Sequence, residues 1–250
     1  MERMHFVASD TDTARLAHGS LVARYGQTPV EEAAVIVALG GDGLMLSTLH
    51  RDLGLPVYGM NRGTVGFLMN DYHEDGLPER IAAAEHTVIH PLKMIAEATD
   101  GGRHQALAIN EVSLLRVGMQ AARLRISVNG RVRMEELVCD GALLSTPAGS
   151  TAYNYSAHGP IVPLGSNVLA LTAIAPFRPR RWRGAILPDT ARVRFDILEP
   201  EKRPVMAHAD SRGVESVVWV EITTFPQMSH VLLHDPGHGL EERLIREQFV

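Results

Sequence analysis

Along the first third of the chain, short apolar runs alternate with stretches of helical period, the pattern of an α/β layer. Residues 4–8 read as a strand and 11–25 as a helix. The run 33–39, rich in Val and Ile and ended by glycines, has the unbroken apolar character of a parallel strand buried on both faces. A short helix over 44–51, a strand over 55–60 and a helix over 77–85 follow. From about His86 the pattern changes to β-rich segments punctuated by glycine pairs and turn residues. Segments 89–99 and 105–117 flank Asp100-Gly101-Gly102, and 124–128 and 132–138 flank Asn129-Gly130, a strong type I′ hairpin signal. Further strands are expected at 168–174, 191–198, 203–208, 216–224 and 230–234. Near the end a short helix is expected, with Leu240, Leu244 and Phe249 as its apolar residues. The pattern therefore divides the chain into an α/β domain over 1–86, a β-rich domain over 87–235 and a terminal helix over 236–250.

Composition narrows the function classes. The 250 residues are 45% hydrophobic, enough for a sizeable core, and the net charge of -5 gives no support to nonspecific nucleic-acid binding. A single cysteine, Cys139, excludes an intrachain disulfide framework and fits a reducing compartment. No secretory leader is expected, and no apolar stretch of this sequence approaches the ~20 residues needed to cross a bilayer. The expectation is a soluble, cytoplasmic protein that binds neither nucleic acid nor membrane. Lys93 and Lys202 are the only lysines, and neither follows a glycine loop. A P-loop NTPase is excluded, and phosphate charge would have to be met by backbone amides, arginine and a divalent cation. The 12 histidines are scattered without zinc-ligand spacing.

Two segments carry candidate chemistry. Gly40-Gly41-Asp42-Gly43 sits directly after the buried strand and before a helix. Its glycines let the backbone turn sharply and approach a ligand, and amides at a helix start favour phosphate. Asp42 in its midst suggests a base or a metal partner; as a plain structural feature it would be the helix N-cap. The second segment runs from Asp140 to Ser156. There a strand meets Ser145-Thr146-Pro147, Gly149 and a helix opened by Ser150 or Thr151, a second corner friendly to anions. Tyr153 and Tyr155 could stack on a ring.

Together GGDG at 40–43, NRGTVGFL at 61–68, Asn110-Glu111 and DGALLSTPAGSTAY at 140–153 resemble the bacterial NAD kinase family, in order and spacing, over roughly residues 33–235. The resemblance implies an α/β N-terminal domain plus an all-β C-terminal domain, with the terminal helix packed back on the first. It implies transfer of the terminal phosphoryl group of ATP, or of polyphosphate, to the 2′-hydroxyl of the adenosine ribose of NAD. Carried over by position, Asp42 is the base, with Gly41 and Gly43 lining the same corner. Asn61 and Phe67 contact the adenosine, and Asn110 and Glu111 hydrogen-bond the dinucleotide. Asp140, Thr151, Ala152, Tyr153, Asn154 and Ser156 also hold NAD, partly across a subunit interface of a homodimer or homotetramer. Gly149 keeps the backbone open for close approach. Mg²⁺ is implied, bound mainly through the donor phosphates, with no protein metal site.

The chain departs from the family pattern at several positions. Ala148 stands where Thr is usual, His158 where Gly is usual, Val138 where a basic residue is common, and Asp210-Ser211-Arg212 where D-G-Q is common. No role is carried onto the last of these. Arg178, Arg180, Arg181 and Arg183 form a basic loop, read as a solvated one. The competing readings are a lipid or small-alcohol kinase sharing the GGDG motif, and a nucleotide-binding sensor without activity. The 140–156 segment and the Asn110-Glu111 pair argue against the first, and the intact Asp42 against the second.

Overall fold

The structure is a computed structural model describing residues 3–64 and 66–236. The described residues divide into two units: one holds those up to Ile89 and those from Ser229 to Pro236, the other most of what lies between. The first begins with β1 (Met4–Ala8), α1 (Asp12–Tyr25), β2 (Val35–Gly40), α2 (Asp42–Leu49), β3 (Val57–Asn61), α3 (Leu77–Ala83) and β4 (Glu85–Ile89). The second contains β5 (Leu92–Ala98), β6 (Arg103–Ala108), β7 (Glu111–Arg116), β8 (Ala122–Val128), β9 (Arg131–Cys139) and β10 (Gly141–Ser145). It continues with the single-turn helix α4 (Tyr153–Ser156), then β11 (Val168–Ile174), β12 (Gly184–Pro188), β13 (Val193–Ile197), β14 (Val205–Ala209), β15 (Arg212–Val214) and β16 (Val217–Thr224). The chain then returns to the first unit as β17 (His230–His234).

The first sheet has the order β1-β2-β3-β17-β4, parallel except for β4. All six residues of β2 are buried because neighbours flank both edges and helices cover both faces. On one face Leu21 of α1 and Leu77 and Ile81 of α3 join Phe6, Val37, Leu39, Tyr58 and Met60 in a single core. On the other, Met45 of α2 lies over Gly59, where a β-carbon would come within 2.5 Å of its methyl group. The β2–β3 register sets Gly40 opposite Asn61. The GGDG and NRG segments therefore emerge side by side at the C-terminal ends of parallel strands, where α/β sheets bind ligands.

Strand 230–234, assigned from the sequence to the β-rich domain, instead pairs with β3 and β4. An alternating strand names a buried face but not its partner. A side-chain network fixes the placement. Asn70 donates to the carbonyls of Gly59 and Leu233, and Asp235 accepts from Tyr58 Oη at 2.6 Å and pairs with Arg80. The terminal helix expected at 236–250 lies, beyond Pro236, outside the described residues.

The second unit is a sandwich of two six-stranded antiparallel sheets, β12-β11-β10-β7-β14-β15 and β6-β5-β16-β13-β8-β9. Their inward faces supply one core that includes Met94, Leu114, Leu124, Leu144, Leu171, Phe195 and Val220. The β8–β9 hairpin closes through Asn129 and Gly130, with φ of 52° and 75°, as a type I′ turn requires. The expected strand 105–117 is two strands in different sheets, broken at Ile109-Asn110. Likewise 89–99 is broken at His90-Pro91 into β4 and β5. Strands β12 and β15 had no expectation behind them: the first follows the arginine loop and the second is three residues long.

Candidate active site

At the GGDG corner the helix starts earlier than its apolar pattern suggests, and Gly41 is the N-cap, not Asp42. Asp42 is thereby released from capping. Its Oδ2 accepts the N–H of Phe67 and its Oδ1 that of Leu68, each at 2.9 Å. With one amide on each oxygen, the carboxylate is held in a fixed orientation. The two loops are also joined by Arg62 N–H donating to Gly40 O at 2.7 Å, and Gly63 packs on Gly41 with 3.4 Å between its would-be β-carbon and Gly41 Cα. The Asn61 side chain turns inward on its own loop, its Oδ1 accepting Gly63 N–H at 2.9 Å. Phe67 is half-buried. Gly43 is exposed, and a β-carbon there would meet nothing within 4 Å. The fold itself does not demand glycine at that position; close approach by a ligand would.

In the second unit the structure gathers Asn110, Glu111, Asp140 and Tyr153. Asn110 and Glu111 lie where the chain passes from one sheet to the other, and Oδ1 of the first and Oε2 of the second are buried without a hydrogen-bond partner among the described residues. Burial, and then the charge of Asp210, push the Glu111 carboxyl up to about 7, opposed by the backbone N–H of Tyr153. The Tyr153 phenol is raised by burial and by the nearby charges of Glu111 and Asp140. Asp140 is half-exposed and bonded to Arg116 Nε at 2.5 Å.

The segment 145–156 differs from its expected role as a hydroxyl-lined anion corner. Ser145, Thr146 and Ser150 are buried. Thr146 Oγ1 bonds Ile109 O at 2.7 Å and accepts Gly149 N–H, while Ser150 Oγ bonds Pro147 O at 2.7 Å and accepts Val162 N–H. These short side chains replace backbone partners in a loop that has no strand beside it. The expected helix is reduced to a 3-10 turn over Ala148–Thr151 and the single turn α4, capped by no side chain. Gly149 does serve a close approach, but to the protein itself: a β-carbon there would lie 2.2 Å from Asn110 O. Asn154 is fully buried, donating to Ser150 O and Pro160 O and accepting from Thr172 Oγ1 at 2.6 Å, so its amide supports the loop. Thr151 and Ala152 are half-buried and Ser156 is exposed.

The departures have local consequences. Ala148 is buried, and His158 holds a φ of 61°, the left-handed region where glycine carries no penalty. Cys139 is buried with its thiol pushed up to about 12, which keeps it unreactive. The four arginines of the 178–183 loop are exposed. Among the described residues no group of three or more His, Cys, Asp or Glu is placed to hold a metal ion. Asp210 had been assigned no role, yet its carboxylate accepts the N–H groups of Ile109, Asn110 and Glu111. The only hint in the sequence is an Asp before a turn, about a hundred residues from its partners.

Residues 109–223 match the ATP-NAD kinase C-terminal domain. Over 251 aligned residues the chain is 67% identical to an NAD kinase of Cereibacter sphaeroides, covering 100% of this chain and 99% of that one. The chain belongs to the NAD kinase family. A relative of the same name from Caulobacter vibrioides is 60% identical, with 99% of this chain and 96% of the other covered. Among solved structures, yeast NADH kinase complexed with NADH matches with a TM-score of 0.83 at 19% identity, over 100% of this chain and 87% of the other. An NAD kinase from Archaeoglobus fulgidus in complex with ATP matches at 0.77 and 22%, over 99% and 97%. At those identities the structures establish the NAD kinase fold; the bacterial relatives establish the family. No helix among the described residues is long and apolar enough to cross a membrane.

Proposed function

We propose that this NAD kinase family member transfers the terminal phosphoryl group of ATP to the 2′-hydroxyl of the adenosine ribose of NAD, forming NADP and ADP. The observation that carries the residue assignment is Asp42: a carboxylate between glycines, with both oxygens held by the Phe67 and Leu68 amides. As the ribose oxygen bonds to phosphorus it loses its proton, and Asp42 accepts it. A carboxylate is too weak a base to remove that proton beforehand, so its gain comes during transfer, roughly 10²–10⁴ in rate. Gly41 and Gly43 leave the backbone open at the same corner, and Asn61 and Phe67 meet the adenosine.

In the second unit Asn110 and Glu111 offer acceptors to hydroxyl or amide donors of the dinucleotide. Asp140, Thr151, Ala152, Tyr153 and Ser156 complete its contacts, and Asn154 holds their loop in shape. A divalent cation, Mg²⁺ by its preference for oxygen, supplies charge neutralisation on the donor phosphates. The same reading places the enzyme in the cytoplasm as a homodimer or homotetramer and admits polyphosphate as a second donor. The lone, buried thiol supports that compartment.

The test is product formation from NAD, ATP and Mg²⁺, detected with an NADP-specific dehydrogenase. NADP in stoichiometric step with ADP is expected. ADP without NADP, or no turnover by well-folded protein, would contradict the assignment.

A further inference from the structure

Asp210 occupies the turn between β14 and β15, with a φ of 48°. Its Oδ2 accepts the N–H of Ile109 at 2.7 Å, and its Oδ1 accepts those of Asn110 at 3.0 Å and Glu111 at 3.2 Å. In return the Asp210 N–H donates to Glu111 O at 3.1 Å. Three consecutive amides turn to one carboxylate because the chain is leaving the sheet of β6 for that of β7, and buried amides must find acceptors somewhere. From this corner project Asn110 Oδ1 and Glu111 Oε2, both buried and without hydrogen-bond partners among the described residues. Two adjacent orphaned acceptors are costly until donors reach them, which marks the corner as built for a ligand.

We propose that Asp210 is a positioning residue for the dinucleotide: it fixes the corner from which Asn110 and Glu111 present their oxygens to the hydroxyl and amide donors of NAD. The assignment rests on the NAD kinase reading above. Asp210 acts through the backbone, and its charge also bears on Glu111. The other groups around Glu111 are Tyr153 from α4 and, beside Tyr153, Asp140 from the β9–β10 junction, itself paired with Arg116. The ionised form of Glu111 is the acceptor, so NAD affinity rises as pH passes upward through the Glu111 transition.

Steady-state kinetics of Asp210→Asn over a pH series test this. The amide nitrogen cannot accept the Ile109 N–H, so KM for NAD should rise about tenfold, the usual scale for losing a hydrogen bond to a charged group. KM for ATP should stay within about twofold by the same logic, because no donor contact is touched. With the neighbouring charge gone, the pH at which NAD binding weakens should move to lower values. Asp210→Glu keeps the charge but not the reach. It should raise KM for NAD while leaving that pH in place, and it serves if Asp210→Asn does not fold. Combining either variant with Asn110→Ala should give less than the product of the separate effects. An unchanged KM for NAD, equal rises for both substrates, or strict additivity would overturn the proposal. A wild-type chain that makes no NADP would instead overturn the function on which it rests.

Discussion

Glu111 holds its proton far above the usual carboxyl range because it is buried first and faces Asp210 second. That has a consequence for stability separate from catalysis. With a folded value of about 7 against a reference of 4.5, the folded state binds more protons than the unfolded state between those limits. The contribution is therefore fully present below pH 4.5 and is lost as pH rises through about 7. Glu111→Gln removes it. Urea unfolding of both proteins over a pH series should show wild type losing about 3 kcal/mol relative to the variant across that interval, as order of magnitude. A difference independent of pH would contradict the assignment. Glycines also divide at this scale: a β-carbon at Gly149 would collide with Asn110 O, whereas one at Gly43 would meet no described atom within 4 Å.

At the scale of elements, the loop after β10 is held by hydroxyls and by its contact with the Asn110 backbone. Gly149→Ala should force those two segments apart, destabilising the protein by about 1–3 kcal/mol, the cost of overpacking. Thermal and urea unfolding would register it, and a midpoint equal to wild type would show that the approach is not tight. Local pattern sufficed for β1, α1 and the Asn129-Gly130 hairpin, whose determinants are adjacent in sequence. It did not suffice for the break at Ile109-Asn110, which is enforced by Asp210 from the far side of the sandwich sequence. Nor could it assign β17 to a sheet, because Asn70 and Asp235 anchor that strand through contacts distant along the chain. In the site, residue types and spacing singled out Asp42, while Asn110 and Glu111 came from the family resemblance alone. The internal duties of Thr146, Ser150 and Asn154 became visible only with their partners, since a hydroxyl in a sequence does not say whether it bonds a ligand or a carbonyl.

For the whole molecule, the family is established along nearly the full length of the chain, and the α/β and β-sandwich units are those of the solved NAD kinases. The proposed base is one carboxylate held by two amides. The most direct measurement compares wild type with Asp42→Asn in NADP formation, alongside NAD affinity by calorimetry. The substituted amide is nearly isosteric and can still take one of the two backbone bonds, so the variant should fold and retain NAD binding. Turnover should fall by two decades or more, the scale of lost proton acceptance during transfer. Near-normal NADP formation by Asp42→Asn would rule out Asp42 as the base and move the proton to another acceptor.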